Sequence, residues 1–327
     1  MEQKGIIFSG MRPTGRLQLG NMVGALDNWI KLQKDHKCFF SVVDWHALTT
    51  GYEDTSTLRD NGREMVIDWL SAGLDPENNV IFRQSDVKEH AELHLMLSMI
   101  TPLGWLERNP TYKEQLKQMS EREISTYGFL GYPVLQAADI LLYKANKVPV
   151  GEDQAPHIEL TREIARRFNH LYGELFPEPQ TLLNKVTLLP GIDGRKMSKS
   201  YGNTIPLGAY EEEIKEKVKM MVTDPQRIRK DDPGDPEVCT VYTFHTIFNE
   251  NEFENFASKC REGSIGCVQC KMSLADVMRD LLEPIAEKRR KLEENPSIVD
   301  EVLNDGAKKA GEVARQTMNE IKEYVKF

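Results

Sequence analysis

The chain has 327 residues, a net charge of −9, 40% hydrophobic and 28% charged residues, the balance of an ordinary globular protein able to bury a core across two domains. It contains no run of 18 apolar residues and no charged-then-apolar leader at Met1, which argues against a membrane span or secretory signal and places it in the cytosol. The acidic balance excludes a uniformly basic coat for nucleic acid but not a local stripe; Lys215, Lys219, Arg227, Arg229 and Lys230 offer one, although solvated helix faces are the better reading of each alone.

In chain order, residues 5–10 (GIIFSG) read as a buried strand, followed by the loop MRPTGRLQLG and a helix over about 21–34, where Val23, Leu26, Trp29 and Ile30 recur at helical steps. CFFSVVDWHALTT reads as a strand beginning at Cys38, then come a helix over 55–72 capped by Thr55 or Ser56, and a strand NVIFRQS. Helical patterns follow at 89–99 and 134–146, with a short strand at 148–150 and a long helix over 155–172. This alternation predicts an α/β fold, a doubly wound, Rossmann-like parallel sheet. After the polar loop GIDGRKMSKSYGNT the pattern turns helical, at 209–221, 271–293 and 297–325. The expected division is a catalytic domain over 1–205, including that loop, and a helical domain over 206–327.

Two segments suggest nucleotide binding. Met11 to Asn21 lies between a strand and a helix, where open α/β sheets take their ligands. Gly20 allows close approach to the backbone, and the helix beginning at Asn21 offers free N–H groups to phosphate. Alone this is weak, because a glycine after a strand often only turns the chain. The second segment is Lys196-Met197-Ser198-Lys199-Ser200. Two lysines three apart, with small hydroxyl residues, suit a triphosphate whose β-phosphate gains charge as pyrophosphate leaves. A solvated basic linker is the bland alternative.

RPTGRLQLGN resembles the first signature of class I aminoacyl-tRNA synthetases, usually ending in His-Ile-Gly-His, and KMSKS matches the second letter for letter. Gln18 and Asn21 stand where the two histidines usually do. The resemblance implies an ATP site at Arg12, Pro13, Thr14, Gly20, Asn21, Gly151, Glu152, Asp153, Lys196, Met197, Ser198, Lys199 and Ser200. It implies catalytic roles for Lys196, Ser198 and Lys199, with Lys113 near the phosphates and Mg2+ assisting.

Tyr132, Gln136 and Asp139 share a face of an apolar helix at i, i+4 and i+7. A carboxylate there needs a partner, which a ligand's ammonium, indole N–H or phenol O–H can provide, or which the protein itself can supply. This resembles the amino-acid pocket shared by tryptophanyl- and tyrosyl-tRNA synthetases. Asp139 accepts from either substrate and cannot choose between them. FSGMRPTGRLQLGNMVGAL, VVDWHALTT, AADILLYKANKVPVGEDQAPHIELTREIARRFN and RKMSKSYGN together resemble the bacterial tryptophanyl-tRNA synthetases over nearly the whole chain. The resemblance implies L-tryptophan, ATP and tRNA(Trp) as substrates and a homodimer. Phe8, Val43, His46 and Val150 would border the indole, with Tyr132 and Gln136 near the α-amino group. Gln154 borders the ATP site and also counts with the tryptophan residues. Many of these enzymes carry methionine where Gln136 stands; glutamine there resembles the tyrosine branch and also occurs in a subset of the tryptophan enzymes. The rivals are a tyrosyl-tRNA synthetase and a non-catalytic RNA-binding or iron–sulfur protein built on a decayed synthetase.

Cys38 stands alone, but Cys239, Cys260, Cys267 and Cys270 form C-x20-C-x6-C-x2-C. Four clustered thiols in a cytosolic chain point to metal, either zinc or an iron–sulfur cluster. A subset of bacterial tryptophanyl-tRNA synthetases carries a four-iron, four-sulfur cluster on a similar motif near the anticodon, and that resemblance favours the cluster. His90 and His94, at i and i+4, are expected on a solvated helix face, since the intervening Glu92 does not make a protease motif.

Overall fold

The structure is a computed structural model describing residues 4–110, 112–113, 126–183 and 189–327. Five parallel strands form one sheet in the order β3-β2-β1-β4-β5, with helices on both faces: β1 (Ile6–Met11), β2 (Lys37–Val42), β3 (Val80–Arg83), β4 (Lys147–Val150) and β5 (Gln180–Leu183). Side chains alternate across each strand, so Ile7, Cys38 and Phe40 enter one core while Phe8 and Phe39 enter the other. This is the expected doubly wound fold.

The first helical segment begins at Leu19, as α1 (Leu19–Asn21), and reaches α2 (Asp27–Leu32) through a π-helical turn at Met22–Leu26. Next come α3 (Asp44–Gly51), α4 (Leu58–Ala72), α5 (Glu89–Ile100), α6 (Leu103–Glu107), α7 (Tyr127–Leu142) and α8 (Ala155–Tyr172). The helical remainder is α9 (Glu211–Met220), α10 (Thr240–Phe248), α11 (Phe253–Arg261), α12 (Cys267–Glu294) and α13 (Ser297–Val325).

Three elements differ from expectation. The run from Cys38 is not all strand: β2 stops at Val42 and DWHALTT is helical. Asp44 decides this, because its Oδ1 accepts the N–H groups of Trp45 and Ser85, each at 3.1 Å, and ties the new helix to the end of β3. The helix expected at 134–146 starts earlier, where the Thr126 hydroxyl accepts the Phe129 N–H at 3.2 Å, and it stops at Leu142, before Lys144 turns to a positive φ of 49°. β5 carries no apolar alternation because it is a half-exposed edge strand.

The C-terminal helices return to the sheet. Gly306 of α13 lies on β3 so closely that a Cβ there would sit 1.8 Å from the Ile81 carbonyl oxygen; only glycine permits this approach. The core joining Ile7 and Phe40 continues through Leu274, Met278 and Leu303. Among the described residues no helix is long and apolar enough to cross a membrane.

Candidate active site

A cavity of about 540 Å3 opens at the carboxyl ends of β1, β2 and β4, where the connections leave the sheet in opposite directions. All eight residues expected around the amino acid line it: Phe8, Val43, His46, Tyr132, Gln136, Asp139, Val150 and Gln154. Arg12 and Gly151, expected at the nucleotide, line it too, as do Gly24 and Trp29. Gly24 belongs to the π-helical turn, a feature often found at functional sites.

Asp139 is the anchor of this cavity. It is 1% exposed, and each carboxylate oxygen accepts two hydrogen bonds. Gln84 Nε2 donates to both oxygens at 2.8 and 2.9 Å, His90 Nδ1 to Oδ1 at 2.7 Å, and His46 Nε2 to Oδ2 at 2.9 Å. His90 Nε2 in turn accepts from the Tyr143 hydroxyl at 2.8 Å. Burial pushes the Asp139 carboxyl up, but the bonds from His46 and His90 outweigh it and hold the group at about 2. The floor of the cavity therefore carries a fixed negative charge.

Tyr132 sits in a second relay. Its hydroxyl lies 2.8 Å from His157 Nε2, and Asn109 Nδ2 lies 3.0 Å from His157 Nδ1. An amide nitrogen only donates, so Nδ1 accepts and the ring proton sits on Nε2, pointing at the Tyr132 oxygen. Burial pushes His157 down to about 4 and Tyr132 up to about 12, which keeps both neutral. Arg12 bonds the Thr50 hydroxyl at 2.6 Å, and burial lowers its pKa from the usual arginine value.

The two nucleotide segments meet outside this cavity. Gln18 Nε2 is 3.5 Å from the Met197 carbonyl, and a Cβ on Gly20 would lie 3.5 Å from Met197 Sδ. Asn21 Oδ1 accepts the Gln18 N–H at 3.0 Å and so holds the turn that starts α1. Lys199 Nζ reaches the Thr14 carbonyl at 2.5 Å, beside buried Pro13. The loop is braced by Asn203, which accepts the Ser198 N–H at 2.8 Å and donates to the Lys196 carbonyl at 3.1 Å. Ser198 and Ser200 hydroxyls lie 2.8 Å apart, while the Lys196 side chain is exposed. Burial lowers the Lys199 pKa, with the nearby Asp68 carboxylate opposing. Glu152 and Asp153 are exposed beyond Gly151, and Lys113 is exposed outside the cavity.

Gln84, His90, Tyr143, Asn109 and His157 are not among the expected site residues. His90 corrects the expectation of a solvated face directly, since it is wholly buried against Asp139. Its position at i and i+3 with buried Leu93 is the signal that places it on the inner side of α5.

The cysteines lie at the far end of the helical region. Cys239 precedes α10, Cys260 is in α11, and Cys267 and Cys270 open α12. Arg227 Nη1 is 3.7 Å from both Cys260 Sγ and Cys267 Sγ, and Cys270 Sγ is 3.6 Å from His245 Nε2. Burial and the neighbouring sulfurs push the Cys270 thiol up to about 12. Among the described residues no three His, Cys, Asp or Glu side chains are grouped closely enough to hold a metal ion, so the expected metal centre is not shown. The basic stripe divides here. Lys215 pairs with Glu211 on α9, whereas Arg227 turns inward to the Ile265 and Lys230 carbonyls at 2.5 and 2.7 Å.

Comparison with known proteins fits this geometry. Residues 1–283 match the family model described as tRNA synthetases class I (W and Y). The tryptophan–tRNA ligase of Thermotoga maritima is 56% identical over 97% of both chains, and that of Aquifex aeolicus 47% identical over 97% of this chain and 98% of its own. The crystal structure of Campylobacter jejuni tryptophanyl-tRNA synthetase, complexed with ADP and tryptophan, superposes with a TM-score of 0.89 at 35% identity, covering 98% of this chain and 100% of that one. The chain thus belongs to the class I aminoacyl-tRNA synthetases of the tryptophan and tyrosine group. Within that group its activity is that of a tryptophan–tRNA ligase, an ATP-dependent enzyme.

Proposed function

We propose that the cavity holds L-tryptophan, with its indole N–H directed at Asp139 and its ring between Phe8, Val43, His46 and Val150. The observation that carries this reading is the buried Asp139 carboxylate at the base of the cavity, held ionised by Gln84, His46 and His90. A site built around one polar acceptor rejects analogues lacking the matching donor. Gln136 Oε1 and the Tyr132 oxygen take the ammonium, leaving the carboxylate toward Arg12 and Gln154. ATP lies across Arg12, Thr14, Gly20 and Gly151, under Lys196 and Lys199.

The substrate carboxylate, already ionised, attacks the α-phosphate in line and expels pyrophosphate, forming tryptophanyl-adenylate. Lys199 and Lys196 hold the departing charge, and Mg2+ bound with the nucleotide would supply further neutralising charge to the phosphates. The terminal adenosine of tRNA(Trp) then attacks the adenylate carbonyl and releases AMP. Residues 1–205 carry this chemistry in the cytosol, and 206–327 receive the anticodon.

The four thiols recur at the spacing C-x20-C-x6-C-x2-C, and Arg227 Nη1 lies beside two of them, Cys260 and Cys267. We assign them a four-iron, four-sulfur cluster in preference to zinc, acting to fix the helical tip rather than in catalysis. The homodimer is supported by Leu95, Met99, Leu103 and Tyr127, large apolar side chains at least half exposed along α5 to α7.

The test is ATP–pyrophosphate exchange driven by tryptophan and by tyrosine. Exchange should depend on tryptophan; stronger exchange with tyrosine would overturn the substrate assignment, and none with either would leave the non-catalytic reading.

A further inference from the structure

Outside the cavity, the most deeply buried charged groups converge on the base of the first signature. Arg289, well along α12, is 3% exposed. Its Nη1 lies 2.5 Å from Asp68 Oδ1 on α4, and its Nη2 bonds Glu64. Asp68 is fully buried, and its other oxygen accepts the Leu17 N–H at 2.5 Å. Leu17 immediately precedes Gln18, and its carbonyl accepts from Leu207 at 2.9 Å. Gly208 packs on the same guanidinium so closely that a Cβ there would lie 2.7 Å from Arg289 Cδ.

A buried ion pair is poor grounds for stability, because apolar side chains of similar volume often do as well. This one ends on a backbone N–H, and that bond sets the height of the loop on which Lys199 closes through Thr14. We infer that Arg289 and Asp68 are positioning residues of the nucleotide site: they fix the Leu17 backbone and, with it, the Gln18–Asn21 turn. This inference rests on reading the two signature loops as the nucleotide site.

The experiment compares Arg289→Met, Arg289→Lys and Gly208→Ala in the full-length protein. It measures kcat and KM for ATP in tryptophan-dependent exchange, together with the equilibrium Kd for tryptophan. Arg289→Met should lower kcat/KM for ATP about tenfold or more while tryptophan Kd stays within about twofold, since small misplacements of positioning groups are costly to the chemical step. Arg289→Lys should recover part of the loss. Gly208→Ala should act in the same direction without removing a charge, and it decides the matter if Arg289→Met does not fold. Equal losses for ATP and tryptophan, or wild-type ATP kinetics in the folded variants, would overturn the inference. Lys199→Ala is measured in parallel. If it leaves ATP kinetics unchanged, the nucleotide-site reading fails; if it is defective while the other variants are normal, only the positioning role fails.

Discussion

His46 Nε2 lies 2.9 Å from Asp139 Oδ2, and this contact joins the cavity wall to its anchor: the histidine side chain is 11% exposed and the aspartate 1%. Gln84 and His90 approach Asp139 from behind and do not line the cavity. An indole N–H arriving at Asp139 therefore shares or displaces the His46 bond while the other donors keep the carboxylate ionised. Replacing His90 with phenylalanine should weaken tryptophan binding by about 1–3 kcal/mol, the usual consequence of unpairing a buried polar group. Equilibrium titration checks this, and an unchanged Kd would show that the relay does not support recognition.

The Tyr132 relay makes stability depend on pH. Burial puts folded His157 at about 4, below its ordinary 6.5, so the unfolded chain binds more protons between those values and stability rises with pH across that window. As pH falls from about 6.5 to 4, up to about 3 kcal/mol should be lost through this group. Asp139, held at about 2 against an ordinary 3.8, loses its contribution only as pH falls further, through that lower interval. Denaturant unfolding of His157→Gln near pH 7 and pH 5 should show a flatter pH dependence than the parent; parallel slopes would refute the role assigned to His157.

With both signature histidines replaced, the lysines of the second signature should carry most of the phosphate stabilisation. Replacing Lys196 or Lys199 with alanine should slow adenylate formation by about 2–4 kcal/mol of activation free energy, the range for removing one electrostatic stabiliser. Tryptophan Kd should change little. Rapid-quench adenylate assays beside tryptophan titrations make the comparison, and equal effects on both would contradict this division.

How far these features could be read in advance depended on whether their cause is local. Phe8 lies in a strand, Val43 just past one and Asp139 in a helix whose patterns are written in the chain, and both signatures are contiguous. DWHALTT departed from its strand-like pattern because Asp44 ties the start of the helix to Ser85, a partner 41 residues away. His90 and Asp139 are 49 residues apart and Arg289 and Asp68 are 221 apart; no spacing rule links such pairs. Gly306 resembles any helical glycine until β3 is beneath it.

Protein purified without oxygen should be brown and carry about four iron and four sulfide per chain, with Cys260→Ser losing both. Zinc at one per chain without iron would remove the cluster from the account.

The dimer predicts about twice the chain mass in light scattering. Met99→Glu, which places a charge on a side chain 74% exposed in the single chain, should shift it to monomer. A monomeric parent would contradict the dimer.

The most direct test of the central claim replaces only the indole N–H. The benzothiophene analogue of tryptophan keeps the ring shape and substitutes sulfur for that group. The parent enzyme should prefer tryptophan in kcat/KM by about a hundredfold or more, and Asp139→Ala should bring the two substrates to within a few-fold of each other. A preference that survives the loss of Asp139 unchanged would show that another group reads the indole.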